Sequence, residues 1–458
     1  MNHQTNPDVL HRGVKMAMDT GEAATLEEAY SLFGEYQMAI QVGMVVGSSR
    51  AHQAALLTLV NGGRRSLLGG VRVLGLGLDD FPLLVELPGE YLSLGEAVTA
   101  LGGTLADEVE ASVPLVMLGA TNAGQRSGLS LRLTFGGWRG GVGPGDEIEV
   151  LSEDANDVMA ATLAAALAVG EIFQNLRGNV LAGRRTVGLS LWRPDLDWRL
   201  PDEGPEEFVV PSKLWLVGLG HLGQAYLWAL AMLPFAQPEA MELTLQDFDK
   251  LTASNDSTSV LTHTGLVGKF KTREMARWLE GRGFRATIVE RRFDGIMAVG
   301  KDDPRIALFG VDNSEARAHI DIAGFDLVVE AGLGAGPQEY LAMRIHTFPA
   351  SVSSQQKWGG EIDEKEGQTS AAAYADLLQH GEVDECGLVQ LATRTVGAPF
   401  VGLVAACLVL SEAIRRLNGG VGVEVMDLSL RAPNLREVVE AETRKAWNPG
   451  YIKLADSP

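Results

Sequence analysis

Between Lys213 and Gly223 an apolar run, Lys-Leu-Trp-Leu-Val, passes directly into Gly218-Leu219-Gly220-His221-Leu222-Gly223. Few folds use such a junction. One glycine makes the tight turn, the next lets backbone approach an anionic ligand, and the third lets the helix lie against its strand, with the helix amino end facing phosphate. The segment therefore predicts a doubly wound α/β sheet with a nucleotide at the strand's carboxyl end, without choosing which nucleotide. The same pattern continues downstream, with strands at Glu242 to Gln246, Thr287 to Glu290, Ile306 to Gly310 and Leu327 to Glu330, and helices through Leu233 and over Gly268 to Glu280.

The earlier half has the same rhythm. Helical spacing covers Asp8 to Met18 and Leu26 to Ile40, Val42 to Gly47 reads as a short buried strand, His52 to Leu59 as helix and Val71 to Leu76 as strand. A Gly-rich, strand-like stretch, Leu129 to Val142, leads to a helix over Asp157 to Leu176. That helix repeats. Ala160 to Leu176 laid on Val401 to Leu417 matches Ala164, Ala165, Leu167, Glu171 and Leu176 with Ala405, Ala406, Leu408, Glu412 and Leu417. Since each half also opens with a glycine-ended strand, the chain reads as an internal duplication. Aligning Gly47 with Gly218 puts Ser49 opposite Gly220 and His52 opposite Gly223, so the first half is expected not to bind nucleotide. The distance from that glycine to the matched glutamate is 171 − 47 = 124 in the first half and 412 − 218 = 194 in the second, so the second carries an insertion of 70 residues, and Cys386 lies in it.

The chain divides into five regions: a helical segment 1–40, a degenerate domain 41–194, an acidic Pro-containing linker 195–211, a nucleotide-binding domain 212–430 with its insertion at about 337–395, and a tail 431–458. At 458 residues it has room for two or three domains. A net charge of −21 argues against nucleic acid and acidic membranes as partners. With only two cysteines there is neither a disulfide framework nor a paired CxxC zinc site, which suits a reducing cytoplasm. Met1 to Thr20 has no signal-peptide apolar core, and the run Val396 to Leu410 is too short to span a bilayer.

Beyond the glycine loop stand Asp247-Phe248-Asp249, Ser254-Asn255, Gly268-Lys269-Phe270-Lys271 and Val311-Asp312-Asn313. This order resembles the adenylation domain of the ThiF, MoeB and ubiquitin-activating family, whose pattern runs GxGGxG, DxD, SNxxRQ, GxxK and a strand-end D(N/C). The match covers Lys213 to Arg317, and the repeated helix extends it to about Gly420. The resemblance implies two tandem Rossmann-like adenylation domains, the first degenerate and the second active. It also implies ATP and Mg²⁺, held by Gly218, Gly220, Gly223, Asp247, Asp249, Asn255, Lys271 and Asp312, with Asp312 the Mg²⁺ ligand. Asp247, at a strand end, suits the ribose hydroxyls. Because a carboxylate nucleophile needs no general base, the catalytic task is charge neutralisation, which the resemblance gives to Lys271, Asn255 and metal. One departure stands out. Where the family has Arg-Gln, this chain has Thr258-Ser259, so a cation must come from Lys269, Arg273 or, as the resemblance suggests, Arg12 on the first helix.

Cys386, in His380-Gly381-Glu382-Val383-Asp384-Glu385-Cys386, precedes a helix-like run and is the candidate thioester nucleophile, favoured by a helix dipole and opposed by its acidic neighbours. Cys407, among Ala405, Ala406 and Leu408, reads as core, His380 as a surface residue and His221 as structural. Within the family, two halves in one chain without CxxC pairs look similar to the activating enzymes of bacterial ubiquitin-like (Bil-type antiphage) conjugation operons. That similarity implies a ubiquitin-like protein as substrate, a conjugating-type enzyme as acceptor, a role in antiviral defence, and an internal pseudo-dimer working as a monomer. A scaffold that binds a modifier without activating it, and an NAD-dependent oxidoreductase, remain alternatives.

Overall fold

The computed structural model describes residues 8–145, 147–334, 336–360, 371–381, 383–442 and 448–455, apart from the side chain of Cys386. Two helices come first, α1 (Arg12–Thr20) and α2 (Leu26–Gly34), followed by β1 (Gln37–Val42) and α3 (Arg50–Ser66). Then come β2 (Gly70–Leu74), α4 (Leu94–Ala100), β3 (Gly103–Leu105), β4 (Leu115–Leu118), β5 (Ser130–Gly136), β6 (Arg139–Pro144), α5 (Val158–Leu176) and β7 (Val187–Ser190).

The second half runs β8 (Val209–Pro211), β9 (Lys213–Val217), α6 (His221–Met232), β10 (Glu242–Gln246), α7 (Lys271–Gly281), β11 (Arg285–Val289) and β12 (Ile306–Phe309). It continues with α8 (Ser314–Ala318), β13 (Leu327–Leu333), β14 (Ala342–Phe348), α9 (Ser354–Trp358), α10 (Ala372–Gln379), α11 (Glu385–Ala392) and α12 (Pro399–Leu417). Three strands close the chain: β15 (Val423–Ser429), β16 (Glu437–Glu440) and β17 (Tyr451–Lys453).

The two sheets share one plan. The first has the order β3-β2-β1-β4-β5-β6-β7 and the second β11-β10-β9-β12-β13-β14-β15-β16, so the second repeats the first with one strand added. In both, the pairings up to β5 or β13 are parallel and those beyond are antiparallel. The repeated helix holds the same place, between the sixth and seventh strands of each half, and α5 and α12 have 19 residues each. Even the buried glutamate keeps its task. Glu171 accepts from the Gly183 N–H at 2.7 Å and pairs with Arg185, while Glu412 accepts from the Val423 N–H at 3.0 Å and pairs with Arg415 and Arg416.

Apart from these glutamates and the polar residues of their last turns, both helices are apolar all round, the pattern of an element enclosed by protein on every side. They enclose each other. Gly170 leaves room for the ring of Phe400, 3.1 Å from where a Cβ would stand, and the Phe173 and Phe400 rings are 5.4 Å apart. Across the same seam Trp228 donates to Thr58 at 3.0 Å, and Gln174 to the Leu430 carbonyl at 3.2 Å. Among the described helices, α5 is long and apolar enough to cross a membrane, but 94% of that stretch is buried inside the fold.

The opening of the first half departs from expectation. The first strand is Gln37–Val42, inside the stretch read partly as helix, and Met44–Gly47 is a 3₁₀ turn rather than a strand. An apolar run alone cannot tell the two apart, and here Met44 is 63% exposed. The strand-end counterpart of Gly218 is therefore Gly43, not Gly47. Of the segment expected as an insertion, 342–348 is β14 within the sheet, so the crossover is 349–398, against 145–157 in the first half. Residues 209–211, at the end of the expected linker, pair with the returning tail strand β17.

Glu412 holds Arg415, whose side chain is 1% exposed. Glu412→Ala leaves that guanidinium buried without its carboxylate, a change that costs about 3–5 kcal/mol. Chemical denaturation should register the loss as a lower midpoint.

Candidate functional site

At the carboxyl ends of β9, β10 and β12 the glycine loop borders a cleft of about 1210 Å³. Gly218 has φ +85°, and a Cβ there would stand 2.9 Å from the Gly310 carbonyl. A Cβ on Gly223 would lie 2.0 Å from the Gly218 oxygen, so this glycine lets α6 close onto the strand. Gly220 differs. Nothing lies within 4 Å of its Cβ position, and it lines the cleft, leaving a cradle that any side chain would fill.

Asp247 follows β10 and is buried. Its carboxylate accepts from the Leu219 N–H at 2.7 Å and the Asp249 N–H at 2.8 Å, bracing the loop. Lys271, at the start of α7, donates to Asp249 at 2.9 Å and lies 3.7 Å from Asp247. Asn255 lines the cleft with its Oδ1 engaged by the Thr252 N–H at 2.9 Å, so a ligand contact falls to Nδ2. Asp312 stands exposed beyond the end of β12.

Arg12 reaches the same cleft across 242 residues of sequence, its Nη2 3.4 Å from Ser254 Oγ. Burial lowers its pKa to about 10; the guanidinium of Arg394 adds to this while Asp8 and Asp312 oppose it, so it stays cationic. The other candidates for the missing cation point elsewhere. Arg273 is exposed and held by Glu290 at 2.8 Å, Lys269 extends toward Glu274 at 3.9 Å, and neither borders the cleft. Sequence reasoning missed five basic residues that do: Lys15, Arg291, Arg292, Arg317 and Arg394. Only Arg291-Arg292 had a signal, standing just past a parallel strand at the sheet's carboxyl edge. Among the described residues seven basic side chains line the cleft against six acidic ones, a local balance of +1 in a chain of net charge −21.

Among the described residues no cluster of three His, Cys, Asp or Glu could hold a metal. Mg²⁺ needs none, because it usually takes one or two carboxylates plus substrate phosphates. Asp312 fits that role; Asp247 and Asp249 already face the Lys271 ammonium.

Cys386 falls at the second residue of α11, inside the helix rather than before it, and Asp384 caps that helix by accepting from the Gly387 N–H at 2.7 Å. Its side chain and Glu382 lie outside the described residues. One turn further along, Gln390 lines the cleft. His380 is a surface residue, 3.2 Å from Asp376. His221 is half-buried, packed against Gly402 at the edge of the cleft, and burial of its ring lowers its pKa to about 4. Cys407 is fully buried in α12, and burial pushes its thiol up to about 12.

The corresponding crevice of the first half is filled by the chain itself. Seven residues, 43–49, join β1 to α3 where three, 218–220, join β9 to α6. The ring of Phe81 stands 2.7 Å from the Cβ position of Gly47. His52 meets Ser49 Oγ at 2.8 Å with Nδ1 and the Glu153 carboxylate at 3.2 Å with Nε2. Glu153 has φ +54°, a left-handed conformation that costs of order 1–3 kcal/mol in a non-glycine residue. The first half thus brings its own anion to the amino end of α3.

Family models described as the BilD N-terminal domain and the BilD C-terminal domain match residues 37–191 and 210–420. A bacterial E1-like protein, BilD, of Collimonas sp. (strain OK412) is 45% identical over 427 residues, 93% of this chain and 92% of that protein. Solved structures of the E. coli tRNA N6-threonylcarbamoyladenosine dehydratase TcdA are also similar. One is 18% identical and another, in complex with ATP, 17%; each match covers 45% of this chain and 86% of that one, with a TM-score of 0.29.

With its thiol buried and its pKa raised, Cys407 should resist alkylation. In a Cys386→Ala chain at pH 8, iodoacetamide should label nothing until denaturant is added, as peptide mass spectrometry would show.

Proposed function

This chain belongs to the BilD family of bacterial E1-like proteins, and from that premise we propose that it activates a ubiquitin-like protein with ATP. The observation that carries the reading is the convergence, in one near-neutral cleft of an acidic chain, of the Gly220 cradle, Lys271, Asp312 and Arg12. An anionic carboxylate must meet an anionic triphosphate there, and fixed cations lower that cost.

ATP enters with its phosphates over the glycine loop and its ribose toward Asp247. An oxygen of the modifier's C-terminal glycine carboxylate attacks the α-phosphorus. The bond from that phosphorus to the oxygen bridging to the β-phosphate breaks, and pyrophosphate leaves. Lys271, Asn255 and Arg12 offset the charge that develops, and Mg²⁺, when bound at Asp312, adds Lewis-acid neutralisation of the phosphates. The Cys386 thiolate, its proton lost to solvent, then attacks the acyl carbon. AMP departs, and the thioester passes by thiol exchange to the cysteine of a conjugating-type enzyme. The degenerate half acts as the internal partner of the active one, so the chain works as a monomer. A place in antiviral defence, in the cytoplasm, accords with this chemistry.

Lys271→Ala and Asp312→Ala should each reduce modifier-dependent ATP–pyrophosphate exchange at least 100-fold with an unchanged circular dichroism spectrum. Undiminished exchange in both would remove the assignment.

Cys386→Ala should keep the exchange and lose the thiol-sensitive enzyme–modifier adduct on a non-reducing gel. Survival of the adduct would exclude Cys386. Light scattering on the active fraction should give the mass of one chain, and activity confined to a dimer would overturn the internal-partner reading.

A further inference from the structure

Arg12 and Arg394 come to one end of the cleft from opposite ends of the sequence, the first on α1 and the second between α11 and α12. Asp8 joins them. Its carboxylate accepts from Arg394 at 2.6 Å, and its carbonyl accepts from the Ser254 N–H at 2.7 Å, on the turn whose Ser254 hydroxyl lies 3.4 Å from Arg12. The same crossover then passes over Thr258, whose methyl is 3.5 Å from the Cβ position of Gly397. Arg394 therefore reaches the neighbourhood in which the sequence pattern leaves a cation missing.

Three features point to an anionic ligand rather than a structural brace. The Asp8–Arg394 pair is half in solvent, with side chains 43% and 44% exposed, and such pairs contribute little to stability. Two guanidinium groups share this end of the cleft, and each raises the cost of the other's charge. A multiply charged anion relieves both. The crossover also reaches the glycine loop, the Cβ position of Gly397 being 3.7 Å from His221 Nδ1, so the Arg394 end of the cleft adjoins the loop over which the phosphates lie.

We propose that Arg394 is a polyphosphate-binding residue: with Arg12 it holds the β- and γ-phosphates of the bound nucleoside triphosphate, and so supplies from the cysteine-bearing crossover the charge absent at Thr258. The inference rests on the cleft being the nucleotide site.

Calorimetric titration of the full chain with ATP, AMP and inorganic pyrophosphate, each with Mg²⁺, tests it. Arg394→Ala should weaken ATP and pyrophosphate at least tenfold while AMP stays within twofold, and Arg394→Lys should recover part of the loss. Asp8→Asn, which removes the competing carboxylate, should bind ATP at least as tightly as the parent chain. An equal loss of ATP and AMP in Arg394→Ala, or no loss, overturns the proposal. So does an Asp8→Asn variant as defective as Arg394→Ala, since the ion pair would then be what matters. If the parent chain binds none of the three ligands, the nucleotide reading itself falls; if it binds AMP and ATP and Arg394→Ala does too, only the role of Arg394 falls.

Discussion

Everything in this fold hangs on two helices that cannot face water. α5 and α12 have apolar or small residues on every side, and burying them requires a sheet on one flank and a helix layer on the other. Duplication meets the requirement, because each helix becomes part of the other's enclosure. The seam also shapes the site. From α3 of the degenerate half, Asn61 donates to the Val260 carbonyl at 3.1 Å, Arg65 to the Thr262 carbonyl at 2.7 Å, and Arg64 to Asp256 at 2.7 Å. These bonds hold the turn that presents Asn255 and Thr258, so the half without a nucleotide loop fixes part of the other half's cleft.

Two crevices at equivalent positions have met opposite ends. In the second half a three-residue junction with φ +85° at Gly218 leaves the amino end of α6 open beside an empty Gly220 position. The longer junction of the first half folds into a 3₁₀ turn, Phe81 packs over it, and Glu153 reaches α3 through His52. A helix amino end attracts anions wherever it lies. A tethered carboxylate has no translational entropy left to lose, so it outcompetes a dissolved phosphate and keeps the crevice closed. The backbone strain at Glu153 sits where that closure is made.

Much of this is legible in the sequence, and the exceptions have physical causes. Lys213–Val217 and Glu242–Gln246 match their strands because short apolar runs bounded by glycine or polar residues have few alternatives. The repeated helix falls in register on its buried glutamate, which is costly to move. The opening of the first sheet resists reading because Val42 to Val46 is apolar but for one glycine, and the turn inside it has no periodicity to reveal it. Arg12, Lys271, Asn255, Asp312 and the three glycines do border or brace one cleft. Arg394 cannot be found by spacing, since its neighbours in space, Asp8 and Arg12, are 386 and 382 residues away in sequence.

The N-terminal helix joins these parts. α1 carries Arg12 into the cleft, and one turn on, Lys15 pairs with Asp19 at 2.5 Å, both buried. Asp19 in turn accepts from the hydroxyl of Tyr374 on α10, whose pKa is raised by burial and by that carboxylate. With Asp8 on Arg394 at the other end, α1 is tied at both ends to the crossover that carries Cys386. Arg12 cannot move far unless one of these ties yields, and the outer one, Asp8 to Arg394, is the solvent-exposed and therefore weaker of the two. Beside that exposed pair, the Asp8 carbonyl accepts from the Ser254 N–H at 2.7 Å and the Arg12 N–H donates to Ser257 Oγ at 3.2 Å, so backbone bonds also hold the start of α1 against the turn that presents Asn255.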